Sequence, residues 1–316
     1  MIEGIRRIQD MLESQSYITD RAIATTVYLA MELRKPVLIE GQAGVGKTEI
    51  AKVLSRALDT DLIRLQCYEG LDANTALYEW NYPKQMLRIR MEEGGDKSVQ
   101  DREEVIFSEP FLLKRPLLQA ISAEKAPVLL IDEIDRADEE FEAFLLEVLS
   151  DFQVTIPELG TVTAEHRPYV VLTSNRTREL SDALKRRCLY LWIDFPAFDK
   201  ELRIITTKIP DVDERLAQQI TAFMQGIRKV RLAKIPGVAE TLDWASSLMA
   251  LHQDHLDPES VRETLGAIFK DRDDVTKMSG KSLDAILDGV DTRTQEELEH
   301  WIQSIGPRME KEFAGR

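Results

Sequence analysis

Gly41-Gln42-Ala43-Gly44-Val45-Gly46-Lys47-Thr48 decides how this chain is read. The stretch satisfies G-x-x-x-x-G-K-[ST] at every fixed position. Before it runs Pro36-Val37-Leu38-Ile39-Glu40, a short apolar segment of the kind that forms a buried strand. After it, from Thr48 to Leu58, Ile50, Ala51, Val53, Leu54, Ala57 and Leu58 recur at helical spacing. Strand, glycine loop and helix make up the context in which this motif binds phosphate. Glycines let backbone N–H groups curl round the anion without Cβ clashes, and the start of the helix points its positive dipole end the same way. In such a loop the lysine, here Lys47, reaches the β- and γ-phosphates and the hydroxyl, here Thr48, ligates Mg²⁺. The predicted nucleotide site is therefore Gly41, Gln42, Ala43, Gly44, Val45, Gly46, Lys47, Thr48 and the adjoining Glu49.

Two further strand ends extend it. Val128-Leu129-Leu130-Ile131 is apolar, too short for a helix, bounded by Pro127, and ends in Asp132-Glu133-Ile134-Asp135. An acid at the end of a buried strand is where a phosphate-loop fold holds Mg²⁺, so Asp132 is the metal candidate beside Thr48. Glu133 would then polarise a water. Val170-Val171-Leu172-Thr173-Ser174-Asn175 repeats the design, with Asn175 placed to orient the water or touch the γ-phosphate. Lys185-Arg186-Arg187 follows, ahead of a further strand, Leu189-Tyr190-Leu191-Trp192-Ile193. An arginine there can serve a neighbouring subunit's nucleotide, or the triplet can be a solvated helix end favoured by the dipole.

Glycine loop, Asp-Glu strand end, Asn strand end and then Arg, in that order, resemble the AAA+ ATPases. Within them the chain is most similar to the MoxR family, on Tyr17-Ile18-Thr19-Asp20-Arg21, on Leu38 to Glu49, and on Gly237-Val238-Ala239-Glu240-Thr241-Leu242-Asp243-Trp244-Ala245. The nearest likeness is to the CoxD-type branch, encoded beside carbon monoxide dehydrogenase and related molybdenum enzymes. The resemblance covers residues 1 to about 250 and implies an α/β fold: an αβα core with a parallel sheet over residues 1–195, then a helical lid and C-terminal helical segment over 196–316. It implies ATP and Mg²⁺, hydrolysis, and a homo-oligomeric ring, a hexamer. It makes Tyr17 and Ile18 candidate base contacts, with packing between two helices as the other reading. Arg187, directly before Cys188, stands where several AAA+ proteins carry an arginine finger, with Arg186 as the fallback. The family's partners would be a von Willebrand A-domain protein and a client metalloenzyme such as a molybdenum hydroxylase, which the ATPase would remodel or mature. Two other outputs fit the same fold: a nucleic-acid motor or loader, and a nucleotide-gated scaffold.

Composition bounds these choices. The 316 residues suffice for two domains. A net charge of −15 argues against non-specific binding to a nucleic acid backbone, although it leaves room for a local basic patch. The two cysteines, Cys67 and Cys188, lack a zinc pattern and suit a reducing, cytoplasmic setting. No apolar run approaches the ~20 residues needed to span a bilayer, and no basic start with an apolar block suggests a signal peptide. Peripheral membrane association stays open.

Along the chain, Met1 to Arg34 reads as two amphipathic helices with an N-cap region at Thr19-Asp20. Leu62 to Cys67 reads as a strand. The insert from Tyr68 to Arg90, with Tyr68, Tyr78, Trp80, Tyr82, Arg88 and Arg90, is either a substrate loop, as the resemblance implies, or helix packing. Glu92 to Glu104 is too charged for a core element and is expected to be an exposed, mobile loop. Helices are predicted over Phe111–Ala123 and Glu139–Ser150, and a hairpin over residues 153–163, a second candidate for substrate contact. After Phe195-Pro196 the pattern is helical, through Leu202, Ile205 and Ile209, then Leu216 to Ile227, then Glu240 to Leu251. Relatives often place an arginine near the start of the last of these; here the stretch is Val238-Ala239-Glu240-Thr241, leaving Arg228 or Arg231 as stand-ins. His252 and His255 fit a solvated helix end better than a metal pair. Val261, Leu265, Ile268 and Phe269 form the best stripe beyond residue 256.

Overall fold

The computed structural model describes residues 2–91, 104–279, 281–290, 297 and 301–307, with the backbone alone at 281, 282, 285 and 288. The expected loop over 92–104 falls outside these residues except for Glu104. Contacts divide the chain into two compact units. The first comprises residues 1–15, 19–41 and 47–193; the second comprises 16–18, 42–46 and 194–316.

Among the described residues the first unit has nine strands: β1 (Val37–Gly41), β2 (Leu62–Gln66), β3 (Tyr78–Trp80), β4 (Leu112–Lys114), β5 (Val128–Asp132), β6 (Gln153–Ile156), β7 (Gly160–Thr163), β8 (Tyr169–Ser174) and β9 (Leu189–Ile193). Five of them form one sheet in the order β2-β5-β8-β1-β9, every pairing parallel. Burial explains the order. The inner strands β1 and β5 are buried at every residue, and β8 at all but its first. Such continuous apolar runs suit strands covered on both faces. β2 and β9, with intermediate and exposed positions, take the edges. Because the three inner strands are parallel, their carboxyl ends lie side by side: the end of β5 carries Asp132, β8 leads into Asn175, and β1 leads into the glycine loop. That edge of an open α/β sheet is where ligands bind.

Helices follow from local signals. Asp20 accepts from the Ile23 N–H at 3.0 Å and starts Arg21–Leu33. Asp138 does the same for Phe141 at 2.8 Å, starting Glu139–Asp151. Such caps each contribute ~0.5–2 kcal/mol. The predicted helix over Phe111–Ala123 is only half right. It begins at Pro116 and runs to Ile121, because proline disfavours helical backbone at Arg115 before it. Leu112–Lys114 instead pairs antiparallel with Tyr78–Trp80. The insert is thus a short helix Ala73–Leu77, strand β3, and a helix Tyr82–Met91. The hairpin forms from β6 and β7, its inner residues Val154 and Ile156 buried.

The second unit holds helices Phe198–Lys208, Glu214–Ile227, Val238–Ala250, Pro258–Ile268, Arg272–Lys277 and Lys281–Val290. Their core gathers Phe223, Trp244, Val261, Leu265, Ile268, Phe269 and Trp301. Phe223 and Trp244 lie with ring centroids 4.9 Å apart, and the indole N–H donates to Thr264 Oγ1 at 2.9 Å. No described helix is long and apolar enough to cross a membrane.

Candidate functional site

Lys47 opens the helix Lys47–Ala57 directly after β1 and its loop. Its side chain is buried, and Nζ donates to the Gly41 carbonyl at 2.8 Å. Burial pushes its pKa down, while Asp135, Asp132 and Glu133 pull it back up. The acids at and just beyond the end of β5 thus favour the charged form of this ammonium. Gly46 has φ +93° and open space where a Cβ would project, so the backbone here forms a bare cradle that a side chain would strain.

Asp132 is heavily engaged. It is 3 % exposed. Oδ1 accepts from Thr48 Oγ1 at 2.9 Å and from Thr173 Oγ1 at 2.5 Å. Oδ2 accepts from Arg64 on β2. Glu133 has left-handed backbone, φ 55°, and its N–H donates to Thr173 Oγ1 at 3.0 Å. Its carboxylate accepts from Gln66 Nε2 at 3.0 Å and from Arg136 Nη1 at 3.1 Å. Positive φ in a glutamate is costly and clusters at functional positions.

Asn175 is half-buried, and its N–H donates to Asp135 Oδ2 at 3.2 Å. The same oxygen accepts from the Thr177 N–H and hydroxyl, each at 2.8 Å. Asp135 Oδ1 is buried without a hydrogen-bond partner among the described residues. Asp135 thus ties the turn after β8 to the end of β5. Glu40, buried just before the loop, accepts from Ser174 Oγ at 3.3 Å and the Tyr190 hydroxyl at 3.0 Å. Burial, and then that bond, push the Tyr190 pKa up. Cys67, next to these acids, is pushed up to about 12, mainly by burial.

The other expected residues have surroundings of their own. Glu49 pairs with Lys52 at 3.6 Å and Arg56 at 3.3 Å along its own helix. Arg186 and Arg187 end the short helix Asp182–Arg187 and are exposed. Tyr17 and Ile18 are half-buried and group with the second unit, as do Gln42, Ala43, Gly44, Val45 and Gly46. Within that unit the Gly44 carbonyl accepts from the Val238 N–H at 2.9 Å and the Ala239 N–H at 3.3 Å. A Cβ on Gly237 would stand 2.7 Å from Gly44 Cα and 2.8 Å from the Ala43 carbonyl oxygen. The first turn that lacks the expected arginine is therefore occupied by backbone contact with the loop, and only glycine fits at 237. Arg228 is buried against Glu201, at 2.6 Å, and donates to the Pro236 carbonyl at 2.9 Å. Arg231 is exposed. His255 pairs with Asp254 at 2.6 Å, and the described residues contain no cluster of three or more His, Cys, Asp or Glu able to hold a metal.

The donor set fits Mg²⁺ with a nucleotide. Mg²⁺ prefers hard oxygens, keeps several waters, and takes one or two protein ligands plus phosphate rather than a closed cage. A hydroxyl and a carboxylate 2.9 Å apart, beside a lysine and a bare glycine loop, meet that description.

Residues 36–188 match the family described as AAA domain (dynein-related subfamily). The chain carries an AAA+ ATPase domain. Its sequence is 26 % identical over 229 residues to an uncharacterized protein of Staphylococcus haemolyticus, covering 69 % of this chain and 78 % of that one. It is 26 % identical over 217 residues to an uncharacterized protein of Staphylococcus epidermidis, covering 66 % and 74 %. Among solved structures it is similar to the RuvB Holliday junction branch migration motor of Thermotoga maritima, with TM-score 0.45, 18 % identity, and 89 % and 76 % of the two chains covered. That likeness is too distant to bear on what this AAA+ ATPase acts upon.

The sequence assigns no role to Arg64 and Gln66, within the strand Leu62 to Cys67, to Thr173, or to Asp135 just beyond β5. Arg64 carried a signal: a charge in the otherwise apolar Leu62-Ile63-Arg64-Leu65. Thr173 carried a weaker one, as the first polar residue after the apolar run of β8.

Proposed function

We propose that this AAA+ ATPase is a MoxR-type remodelling chaperone, working in a head-to-tail ring on a partner metalloenzyme such as a molybdenum hydroxylase, with a von Willebrand A-domain protein. In its cycle Lys47 neutralises phosphate charge, Glu133 directs a water in line with the γ-phosphate, and Asn175 orients that water. Thr48 and Asp132 hold Mg²⁺, which when bound adds charge neutralisation on the phosphates. Arg187 acts on the nucleotide of the neighbouring subunit. A heterologous interface closes into a ring when the rotation allows it, and the family resemblance makes that ring a hexamer.

The observation that carries the remodelling half is the helix Tyr82–Met91. Gln85 is its one buried residue. Tyr82 and Leu87 are each 60 % exposed, Met86 53 % and Met91 72 %. Lys84, Arg88 and Arg90 are interleaved with them. A helix that shows large apolar side chains to solvent this way is suited to holding another protein, and methionine adapts to varied surfaces.

The test uses Glu133→Gln protein loaded with ATP. Affinity capture is expected to retain an A-domain protein and a metalloenzyme, and Met86→Glu/Leu87→Glu in that background to release both. Purified partners are expected to raise wild-type ATPase activity. Stimulation instead by DNA or RNA, with the steep salt dependence of phosphate contacts, would overturn the chaperone reading in favour of a nucleic-acid motor.

A further inference from the structure

Asp132 already has a cation of its own chain. Arg64, in the middle of edge strand β2, donates to Asp132 Oδ2 from Nε at 3.0 Å and from Nη2 at 2.5 Å. The two hydroxyls of Thr48 and Thr173 both go to the opposite oxygen, Oδ1. The carboxylate is thus divided into a hydroxyl half and a guanidinium half. The exposures are unequal: the Arg64 side chain is 51 % exposed and that of Asp132 4 %. Arg64 Nη2 also donates to Gln66 Oε1, which leaves the Gln66 amide N–H₂ to meet Glu133.

We propose that Arg64 is a resident counter-cation of the metal-holding acid, a positioning residue that weakens divalent-cation binding at Asp132 and so sets the Mg²⁺ concentration the ATPase requires. The inference rests on the assignment of Mg²⁺ to Thr48 and Asp132. A guanidinium does not lose its proton in a protein, so a metal arriving at Oδ1 meets a fixed positive charge on the other oxygen of the same group. Either both cations share one carboxylate or the arginine swings out, and its half-exposed side chain has water to swing into. The benefit lies in the metal-free state. Arg64 holds Oδ2 of the buried Asp132 and leaves Oδ1 on the Thr48 and Thr173 hydroxyls. Preformation of the site is obtained at the expense of metal affinity.

Mn²⁺ binding read by electron paramagnetic resonance, in the presence of ADP so that no turnover occurs, tests this. Arg64→Gln is expected to bind Mn²⁺ about tenfold more tightly than wild type, equivalent to ~1.4 kcal/mol. The Mg²⁺ concentration for half-maximal ATPase should fall in step. Arg64→Lys, which keeps the charge, should stay within about twofold of wild type by the same arithmetic. Arg64→Met gives the same reading if the amide prevents folding. Unchanged or weaker Mn²⁺ affinity in a folded Arg64→Gln or Arg64→Met protein overturns the proposal, as does a Lys variant that tightens as much as Gln. Asp132→Asn separates the two layers of the argument. If it leaves Mn²⁺ affinity untouched, the metal assignment itself fails. If it weakens Mn²⁺ while Arg64→Gln does not tighten it, only the role of Arg64 falls.

Discussion

Among the arginines that meet buried carboxylates, Arg228 and Arg64 are paired in different ways. In the helical unit Arg228 is itself buried, its side chain 4 % exposed and that of Glu201 0 %. Nη1 and Nη2 reach separate oxygens of Glu201 at 2.6 and 2.7 Å. Further partners lie close by: Nε donates to the Pro236 carbonyl, Nη2 also donates to Thr241 Oγ1, Glu201 accepts from Gln225 and Thr241, and the Phe195 ring faces the guanidinium at 4.8 Å. In the sheet unit Arg64 is half in solvent, and both of its bonds to Asp132 fall on a single oxygen. A closed, two-pronged pair fixes a fold. A lopsided, half-wet pair beside a glycine loop and a strained glutamate is available for chemistry. The comparison yields opposite expectations for activity and stability in the two regions.

The largest effects are expected in the sheet unit, on rate alone. Arg187→Ala should bind ATP and fail to hydrolyse it, since an arginine finger supplied by a neighbour is worth about 10³–10⁵ in kcat. Arg187→Lys should rescue poorly because an ammonium cannot copy the planar fork. Mixed with Glu133→Gln protein, which has the finger but lacks the base, Arg187→Ala rings should regain part of their activity. Co-assembly without that recovery would remove Arg187 from the role and pass the test to Arg186. Glu133→Gln alone should lose about 10²–10⁴ in kcat, the usual contribution of a general base. Its melting temperature in the absence of nucleotide should match wild type. A destabilised Glu133→Gln protein would mean that its bonds to Gln66 and Arg136 hold the fold, and would erase the contrast between the two regions.

In the helical unit the effect should fall on stability. Arg228→Met leaves Glu201 buried and unpaired, a change that costs about 3–5 kcal/mol in such settings. Denaturant unfolding should show it. The double variant Arg228→Met/Glu201→Leu should recover most of the loss, because paired apolar replacements are often neutral. If instead Arg228→Met folds normally and loses ATPase activity, Arg228 serves the nucleotide after all, as its position in the sequence allowed.

How much of this was legible beforehand follows from how far each signal reaches along the chain. The glycine loop, the Asp-Glu end and the Asn end were visible because each is a contiguous word after a short apolar run. The helix stripes and the hairpin were visible through periodicity. Phe111–Ala123 was misread because Phe111, Leu112, Leu113, Leu117 and Leu118 suit a helix as well as a strand, and only pairing with Tyr78–Trp80 decides between them. The charge of Arg64 stands out in its strand, but what it meets was illegible for the same reason. Its partner lies 68 residues away, brought there by the parallel pairing of β2 with β5. The close approach of Gly237 to Gly44 was hidden altogether, since a glycine at a helix start has many reasons to exist. Motif words reveal which groups do chemistry; the groups that hold them in place come from strands that only the sheet makes neighbours.

The smallest effect should belong to Arg64 measured as a stability residue. Removing it takes away two hydrogen bonds and an ion pair from a buried acid, which at first sight repeats the Arg228 case. The physics differs in two respects. Half of the guanidinium is already solvated, so its Coulomb attraction is screened and its transfer back to water is cheap. Asp132 also keeps Thr48 and Thr173 on Oδ1, and Lys47 close enough that the acid raises the lysine's pKa. The carboxylate is therefore left neither bare nor without a cation. Arg64→Gln should change unfolding free energy by less than about 1 kcal/mol, as exposed pairs do, measured with denaturant in the absence of metal and nucleotide. A loss of several kcal/mol, comparable with Arg228→Met, would show that both arginines are clamps of one kind and that the half-exposed geometry carries no functional meaning. A small loss, together with the tighter Mn²⁺ binding expected of the same variant, would separate the two pairs by experiment as the geometry separates them here.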